Sequence, residues 1–160
     1  MFELLFPFFL IVLFILVLTI IWRNNARKYI STSTVASAYD AWTQDKLLER
    51  LWGEHIHLGF YPSGVKNIDF RKAKVQFVHE LVKWSGLDKL PQGSRILDVG
   101  CGIGGSSRIL AEYYGFNVTG ITISPAQVKR ARELTPHGLN CTFQVMDALD
   151  LKFEDGSFDA

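Results

Sequence analysis

The sequence predicts an α/β protein in which an apolar helix and a helical segment precede an incomplete parallel β-sheet. Three observations support this prediction. The first 22 residues are almost entirely apolar. From residue 93 onward, short runs rich in β-branched residues alternate with stretches of helical periodicity, a pattern typical of βαβ units and parallel sheets. A glycine-rich turn joins the first of these runs to a helix, and such turns are where these sheets bind ligands.

The apolar run predicts a transmembrane anchor over residues 1–22. Only three residues between Phe2 and Trp22 are not apolar, namely Glu3, Pro7 and Thr19. As a helix this run would extend roughly 30 Å, which matches the hydrocarbon core of a bilayer. A lipid bilayer is therefore an expected partner.

A cleaved secretory signal peptide is the alternative interpretation of this run, because Val35-Ala36-Ser37-Ala38 offers a cleavage-like site. The acidic Glu3 at the start and the length of the run argue against it. Three basic residues follow the run closely and none precedes it: Arg23, Arg27 and Lys28. By the positive-inside rule they predict a single-pass protein whose remaining chain is cytoplasmic.

Residues 23–38 are predicted to form a juxtamembrane linker, since they are rich in Asn, Ser, Thr and Ala and lack a sustained apolar period. A helical segment is expected over residues 39–92. Apolar residues recur at near-helical spacing from Ser37 to Leu51 and again from Phe70 to Trp84, and each stretch predicts an amphipathic helix. Between them, Trp52 to Pro62 predicts a loop.

Residues 93–160 are predicted to hold the parallel sheet. The predicted strands are Arg95–Val99, Phe116–Ile121 and Cys141–Val145, with a fourth beginning at Ser157-Phe158-Asp159. The predicted helices are Gly104–Tyr114 and Pro125–Leu134. Gly115 is a typical helix stop, and Ser124 with Gln127 predicts a capping box at the start of the second helix.

The early end of this sheet predicts that residues 93–160 are the truncated N-terminal half of a longer domain. Three strands and the start of a fourth would leave a long unpaired edge, which open doubly wound sheets normally cover. We therefore expect the fragment alone to be inactive.

The charge and the metal-ligating residues exclude two classes of function. After residue 30 the chain carries 14 basic and 15 acidic residues, and a nearly neutral domain lacks the basic surface that nucleic-acid binding needs. Cys101 and Cys141 have neither zinc spacing nor an extracellular framework, which predicts reduced thiols. His55 and His57 form an H-x-H pair, but two ligands are too few for a zinc site, so no metal is expected.

The turn after the first predicted strand is the candidate binding site. Gly100, Gly102 and Gly105 satisfy the dinucleotide fingerprint G-x-G-x-x-G, while Gly100, Gly102 and Gly104 give the pattern G-x-G-x-G. Glycines let the backbone approach a ligand closely, and the N-terminus of the following helix offers free N–H groups to an anionic group. The glycines alone fit two cofactor classes, a dinucleotide and a sulfonium amino acid.

Asp98 distinguishes these classes. Two residues before the first glycine, its carboxylate would repel a pyrophosphate, whereas it would attract the ammonium group of S-adenosyl-L-methionine. The cofactor's own carboxylate suits the helix N-terminus. No Asp or Glu closes the second strand near residue 120, where a dinucleotide site holds its ribose. The residues therefore favour S-adenosyl-L-methionine, with a tight strand-to-helix turn that binds nothing as the plainer alternative.

Several motifs resemble those of class I S-adenosylmethionine-dependent methyltransferases, which have a Rossmann-like sheet. Ile96–Gly105 resembles their first motif, and Gly120-Ile121-Thr122-Ile123-Ser124-Pro125 resembles the second-strand motif of the branch that methylates tocopherols, sterols and lipid acyl chains. Tyr39-Asp40-Ala41-Trp42 and the segment from Leu51 to Tyr61 resemble N-terminal motifs of tocopherol methyltransferases. The likeness covers about residues 29–160 and is greatest to the cyanobacterial group that methylates methyl-phytyl-benzoquinol, which also carries a hydrophobic N-terminal anchor.

The resemblance implies a set of cofactor contacts. Ile123 and Gln127 would contact the ribose, and Asp147-Ala148 would read the adenine. Tyr39 and the segment 57–59 would close over the cofactor as a lid. From the residues alone, Gln127 has a capping role, Ile123 fits a core position and Asp147 could cap the following turn, so these alternatives stay open.

The resemblance also implies the reaction, which is C-methylation of a prenylated benzoquinol ring on the way to tocopherol and plastoquinone. The expected acceptor is a prenylated quinol, and no residue of the chain is predicted as the general base. The alternatives are another lipid-like acceptor, such as tocopherol or a sterol, phosphoethanolamine, or a non-catalytic cofactor-binding module. The expected membrane is a thylakoid or plasma membrane, if the source is cyanobacterial.

Overall fold

The computed structural model describes residues 2–25 and 31–160, and the side chains of residues 10–22 and 31–160. Within it the chain forms two compact units, Met1–Thr34 and Val35–Ala160.

The first unit holds helix α1, Phe2–Asn25. Its described side chains, residues 10–22, are exposed and almost all apolar. Among the described residues, however, no helix combines the length and the apolarity that crossing a bilayer requires. The transmembrane anchor predicted at 1–22 is therefore not supported.

The linker predicted at 23–38 differs from the structure. Residues 26–30 lie outside the described residues, but helix α2, Thr32–Gln44, begins inside the predicted linker. Thr34 Oγ1 accepts a hydrogen bond from the Ser31 N–H at 3.4 Å and donates to the Ser31 carbonyl at 2.7 Å. Hydroxyl side chains are favoured at helix starts, so the same residues that suggested irregular chain here begin a helix.

The single helix predicted at 37–51 is divided in two in the structure. Helix α3, Leu47–Trp52, follows α2 after Lys46, whose φ of 55° lies in the left-handed region. The Asp45 carboxylate accepts the Leu47 N–H at 2.8 Å and so stabilises the break. Apolar spacing continues across this break, which is why periodicity alone did not reveal it.

Helix α4, Phe70–Ser85, confirms the second predicted helix of this segment. The Asp69 carboxylate accepts the N–H groups of Arg71 and Lys72 at its start, and Gly86 ends it with a φ of 78°. A single 3₁₀ turn at Leu87–Lys89 leads to the sheet.

The sheet confirms the predicted α/β class. Its elements follow in the order β1 Arg95–Val99, α5 Gly105–Tyr114, β2 Asn117–Thr122, α6 Pro125–Leu134 and β3 Cys141–Val145. The three strands are parallel and lie in the order β1-β2-β3. Every boundary lies within one residue of its predicted position.

Residues 159–160 lie beside β1 on the edge away from β2. The Asp159 N–H donates to the Arg95 carbonyl at 2.8 Å, and the Leu97 N–H donates to the Ala160 carbonyl at 2.9 Å. The strand predicted to begin at 157 is not formed within the described residues, but residues 159 and 160 make backbone hydrogen bonds to β1.

Helices α5 and α6 pack on one face of the sheet. Ile96, Val118 and Phe143, one from each strand, point to this face and are at most 4% exposed. They join two buried clusters, one with α4 and α5 and one with α6. On the opposite face Val99 is 53% exposed, whereas its β2 partner Ile121 is 1% exposed.

Candidate functional site

A cavity of about 390 Å³ opens at the carboxyl ends of β1 and β2. The glycine-rich turn, the start of α6, the chain after β3 and the loop at 54–57 all border it. The sequence-predicted residues in its wall are Tyr39, Asp98, Gly100, Gly102, Ile123, Gln127 and Ala148. Two further predicted residues, Gly104 and Asp147, are not part of this wall.

The glycine-rich turn brings bare backbone to the cavity. Gly100 and Gly102 have φ values of 79° and 55°, and a Cβ added at either position would meet no atom within 4 Å. Any other residue at these positions would have a strained left-handed backbone, and its side chain would occupy open space beside the cavity. The turn therefore leaves room for a ligand directly against the main chain.

Gly104 serves a different purpose in the structure. A Cβ at this position would lie 2.6 Å from the Phe143 ring, so glycine here lets the start of α5 pack against β3. Gly104 is the N-cap of α5. It orients the helix that borders the cavity rather than bordering the cavity itself.

The Asp98 carboxylate is fixed in the cavity wall. It accepts a hydrogen bond from Ser107 Oγ at 2.6 Å, and Ser107 is fully buried. Burial raises the pKa of the Asp98 carboxyl above its usual value, while the Ser107 hydrogen bond and the nearby His57 oppose that rise. A buried carboxylate with a single neutral donor is suited to pair with a cationic ligand group.

Gln127 has one defined amide orientation at the end of β2. Thr122 Oγ1 donates to Gln127 Oε1 at 2.7 Å, which leaves Nε2 as the amide group able to donate into the cavity. The Ser124 hydroxyl accepts the Gln127 N–H at 3.1 Å, as predicted for the cap. In a full capping box the Gln127 side chain would accept the Ser124 N–H. Here the Ser124 N–H donates to Thr122 Oγ1 at 3.3 Å instead.

Asp147 caps the turn after β3. Its Oδ1 accepts the Leu149 N–H at 2.9 Å, and its carbonyl accepts the Asp150 N–H at 3.0 Å. This is the turn-capping alternative recognised in the sequence. The neighbouring Met146 and Ala148 line the cavity. The chain after β3 therefore borders the site, although the Asp147 side chain caps the turn and does not line the cavity.

Asp40 is an important residue that the sequence reasoning missed. Its carboxylate accepts Ser124 Oγ at 2.5 Å and the Ala126 N–H at 3.0 Å. It thereby caps α6 from α2, across 84 residues of chain. Its place next to Tyr39 in a recognisable motif was the available signal, but sequence spacing could not reveal the partner.

Two ion pairs attach the N-terminal part of the second unit to the sheet domain. Arg130 of α6 contacts both Glu49 oxygens, at 2.6 and 2.9 Å, and Arg108 of α5 contacts Glu54 at 2.5 Å. Lys74 also donates to the His55 carbonyl at 2.7 Å. These contacts hold the loop at 54–57 against the cavity.

His55 and His57 form a hydrogen-bonded pair in the cavity wall. His57 Nε2 lies 3.1 Å from His55 Nδ1, and His57 Nδ1 lies 2.8 Å from the Leu58 carbonyl. Burial, followed by the repulsion of His57, lowers the pKa of His55 to about 4. In the described part of the chain no group of three or more His, Cys, Asp or Glu is arranged to hold a metal ion.

The fold and the site together define a methyltransferase domain. Residues 96–160 match the family described as a methyltransferase domain, which confirms the resemblance to class I S-adenosylmethionine-dependent methyltransferases. In a solved structure with 27% sequence identity, magnesium protoporphyrin IX methyltransferase from Synechocystis PCC 6803 has bound S-adenosylmethionine. It superposes with a TM-score of 0.54 over 79% of this chain and 59% of that one.

Two curated relatives are methyltransferases named for a phytylated hydroquinone and for tocopherol. The chain is 61% identical over 135 residues to 2-methyl-6-phytyl-1,4-hydroquinone methyltransferase of Synechocystis sp., which covers 84% of this chain and 42% of the relative. It is 42% identical over 123 residues to the chloroplastic tocopherol O-methyltransferase of Arabidopsis thaliana, which covers 71% of this chain and 35% of the relative. The chain thus spans about two fifths of the length of these relatives.

Proposed function

We propose that the protein transfers a methyl group from S-adenosyl-L-methionine to a ring carbon of a prenylated benzoquinol, in the biosynthesis of tocopherol and plastoquinone. The observation that carries this proposal is the 61% identity to a methyltransferase named for a phytylated hydroquinone. The cavity supports the cofactor assignment, because it combines a buried carboxylate, bare backbone and a helix N-terminus.

The described residues fit the polar groups of S-adenosyl-L-methionine. Asp98 would accept the ammonium group, and the free first-turn N–H groups of α5 would bind the carboxylate. Gly100 and Gly102 give the backbone room that this close approach requires. The cofactor supplies an electrophilic methyl group.

The nucleoside end of the cofactor would lie between β2 and β3. Gln127 Nε2 would donate to a ribose hydroxyl, with Ile123 beside it. Ala148 would meet the adenine through its backbone, and Asp147 retains Oδ2 for the exocyclic amine after Oδ1 has capped its turn. Tyr39 would close the site from α2.

The work of these residues in the reaction is mainly to hold two reactants in line. Holding reactants at attack distance replaces a bimolecular encounter by an intramolecular step and accounts for much of the rate enhancement in such reactions. The phenolic oxygen of the quinol makes its ring carbons electron-rich, so a proton acceptor near that oxygen assists the transfer.

We further propose that the protein associates with a lipid bilayer through α1, with the second unit on the cytoplasmic side of a thylakoid or plasma membrane. The exposed apolar side chains of residues 10–22 support this proposal, as do the basic residues that follow in the sequence. A phytyl or solanesyl tail partitions into lipid at about 0.8 kcal/mol per buried CH₂, so a membrane-associated enzyme would meet its acceptor where that acceptor resides.

Tocopherol O-methylation is the second candidate, and the 42% identity to a tocopherol O-methyltransferase favours it. The test is methyl transfer by the full-length protein from labelled cofactor to 2-methyl-6-phytyl-1,4-hydroquinone and, separately, to γ-tocopherol. We expect a ring-methylated product from the first acceptor and little from the second. Methylation of γ-tocopherol alone would favour the second candidate, and methylation of neither would contradict both.

A further inference from the structure

We propose that His55 and His57 form a two-histidine proton acceptor for the phenolic hydroxyl of the methyl acceptor. His55 would contact the substrate, and His57 would act through His55 as a positioning residue. This inference rests on the proposed function, because it requires a phenolic acceptor in the cavity. It assigns a role to two side chains that make none of the polar contacts proposed above for the cofactor.

The two histidines lie in the wall of the candidate site. Both rings line the same cavity as Asp98, Gly100 and Gly102, and both are partly buried. His55 requires glycine at position 105, because a Cβ on Gly105 would lie only 2.8 Å from the His55 Cε1 atom. His55 is therefore packed closely against the start of α5, at the end of the cavity bordered by the N-terminal segment.

The hydrogen bonds of the pair fix its protonation pattern. A carbonyl oxygen can only accept, so His57 Nδ1 carries the proton that it shares with Leu58 O. In the neutral ring His57 Nε2 is then an acceptor, and His55 Nδ1 must donate to it. In neutral His55 this leaves Nε2 with a free lone pair. Within the described residues no hydrogen-bond donor reaches that nitrogen.

Burial and the neighbouring charges favour a neutral His55, and a carboxylate lies near His57. His55 faces Arg108 of α5, Lys74 of α4 and the adjacent Glu54, and its lowered pKa keeps it neutral near pH 7. The Asp98 carboxylate lies near His57 and would balance the positive charge that the proton transfer places on that ring.

The ring carbon forms a bond to the methyl group, the sulfur keeps the electron pair of the broken S–C bond, and the phenolic O–H pair becomes the second bond of a carbonyl. His55 Nε2 takes the phenolic proton while His55 Nδ1 passes its own proton to His57 Nε2. The ring carbon then loses its C–H proton to solvent, and the C–H electron pair restores the aromatic ring. The phenoxide oxygen takes a proton back from His55 Nε2 as His57 Nε2 returns its proton to His55 Nδ1, so one proton leaves to solvent overall.

Nitrogen NMR of the histidine rings tests the arrangement without any turnover. We expect both neutral histidines to carry their proton on Nδ1 at pH 7.5 in the full-length protein. Observation of His55 as the Nε2–H form would overturn the proposal, because the nitrogen assigned as proton acceptor would already be protonated.

Two variants test the role in methyl transfer. In His55→Gln we expect kcat for the phytylated hydroquinone to fall about 10²- to 10⁴-fold, the range for losing a general base. The residual rate should rise nearly tenfold per pH unit between pH 7 and 9, since the phenol must then ionise by itself with a pKa of about 10. His57→Asn retains an N–H donor for the Leu58 carbonyl but removes the ring nitrogen Nε2 that would take the proton from His55. We expect kcat of this variant to fall about tenfold or more.

The matched control is His137→Gln, which removes an exposed histidine outside the cavity and should leave kcat unchanged. Calorimetric affinity for S-adenosyl-L-methionine should stay within about threefold of wild type in all three variants. Loss of cofactor binding in His55→Gln, or a kcat close to wild type, would overturn the relay. A wild-type protein that methylates no phenol would instead overturn the proposed function itself.

Discussion

Asp98 is the residue on which the choice of ligand depends most. Its carboxyl is buried, bonded to one neutral hydroxyl, and directed to a cavity lined by bare backbone. Burial raises its pKa, so the charged form destabilises the ligand-free protein above that pKa. This destabilisation is relieved as pH falls through the raised pKa, and an ammonium ligand would relieve it at neutral pH.

We therefore predict opposite effects of Asp98→Asn on binding and stability. Affinity for S-adenosyl-L-methionine should fall about 10- to 100-fold, because a charge-assisted hydrogen bond contributes about 1.5–3 kcal/mol. The Tm of the ligand-free protein at pH 7.5 should rise, since the uncompensated buried charge is gone while the Asn oxygen still accepts from Ser107. Calorimetry and thermal melts measure both, and a lowered Tm with unchanged affinity would contradict this account.

Thr122 illustrates a residue that acts through its neighbour. Its hydroxyl fixes the Gln127 amide with Nε2 available to the cavity. In Thr122→Val the amide can rotate, and we expect cofactor affinity to fall about three- to tenfold, as for one neutral hydrogen bond of about 1 kcal/mol.

Thr119→Val is the matched control for this change. Thr119 lies on the opposite face of the same strand and shares a hydrogen bond only with Thr142 at 3.3 Å, so its loss should leave cofactor affinity unchanged. Equal losses in the two threonine variants would show that the effect belongs to the strand rather than to Gln127.

At the scale of elements, the second unit is held together by contacts that join distant segments. Asp40 caps α6 from α2, while Glu49 and Glu54 pair with Arg130 and Arg108. These contacts make the segment around the cavity part of the folded domain, so the residues expected to form a lid are anchored at several points.

Asp40→Ala should destabilise the protein by about 1–2 kcal/mol, the usual effect of losing a helix N-cap. The loss should be larger than for an exposed cap because the Ser124 hydroxyl also loses its partner. Asp40→Asn keeps an acceptor oxygen and should recover most of the stability. Urea denaturation measures the difference, and an Asp40→Ala variant as stable as wild type would refute the proposed cap.

The sequence predicted the sheet elements well because local chemistry determines their ends. Gly115 stops α5 and Ser124 with Pro125 starts α6, so each boundary carried its own signal. The division of α2 from α3 depends on a left-handed Lys46, which no local pattern requires.

The candidate site was predicted only as far as its residues are local in sequence. Asp98 and the glycines stand in one turn, and their spacing suggested the ligand. The Asp40 cap, the Gln127 orientation and the His55–His57 hydrogen bond all need the folded chain, since each depends on partners that sequence spacing does not identify.

At the scale of the whole molecule, the apolar N-terminal sequence predicts that the protein associates with a membrane. We expect the full-length protein to float with vesicles containing anionic lipid, and a variant lacking residues 1–30 to remain unbound. A variant carrying Leu13→Ser, Leu16→Ser and Ile20→Ser should also lose binding, because these exposed side chains supply the apolar surface. Binding by the truncated protein would assign the membrane contact to another part of the chain.

The central claim is that the glycine-rich turn after β1 serves a methyl donor rather than a dinucleotide. The most direct test is calorimetric titration of the full-length protein with S-adenosyl-L-methionine and, in parallel, with NADH. We predict micromolar binding of S-adenosyl-L-methionine that weakens in Asp98→Asn, and no binding of NADH. Binding of NADH without binding of S-adenosyl-L-methionine would contradict the claim.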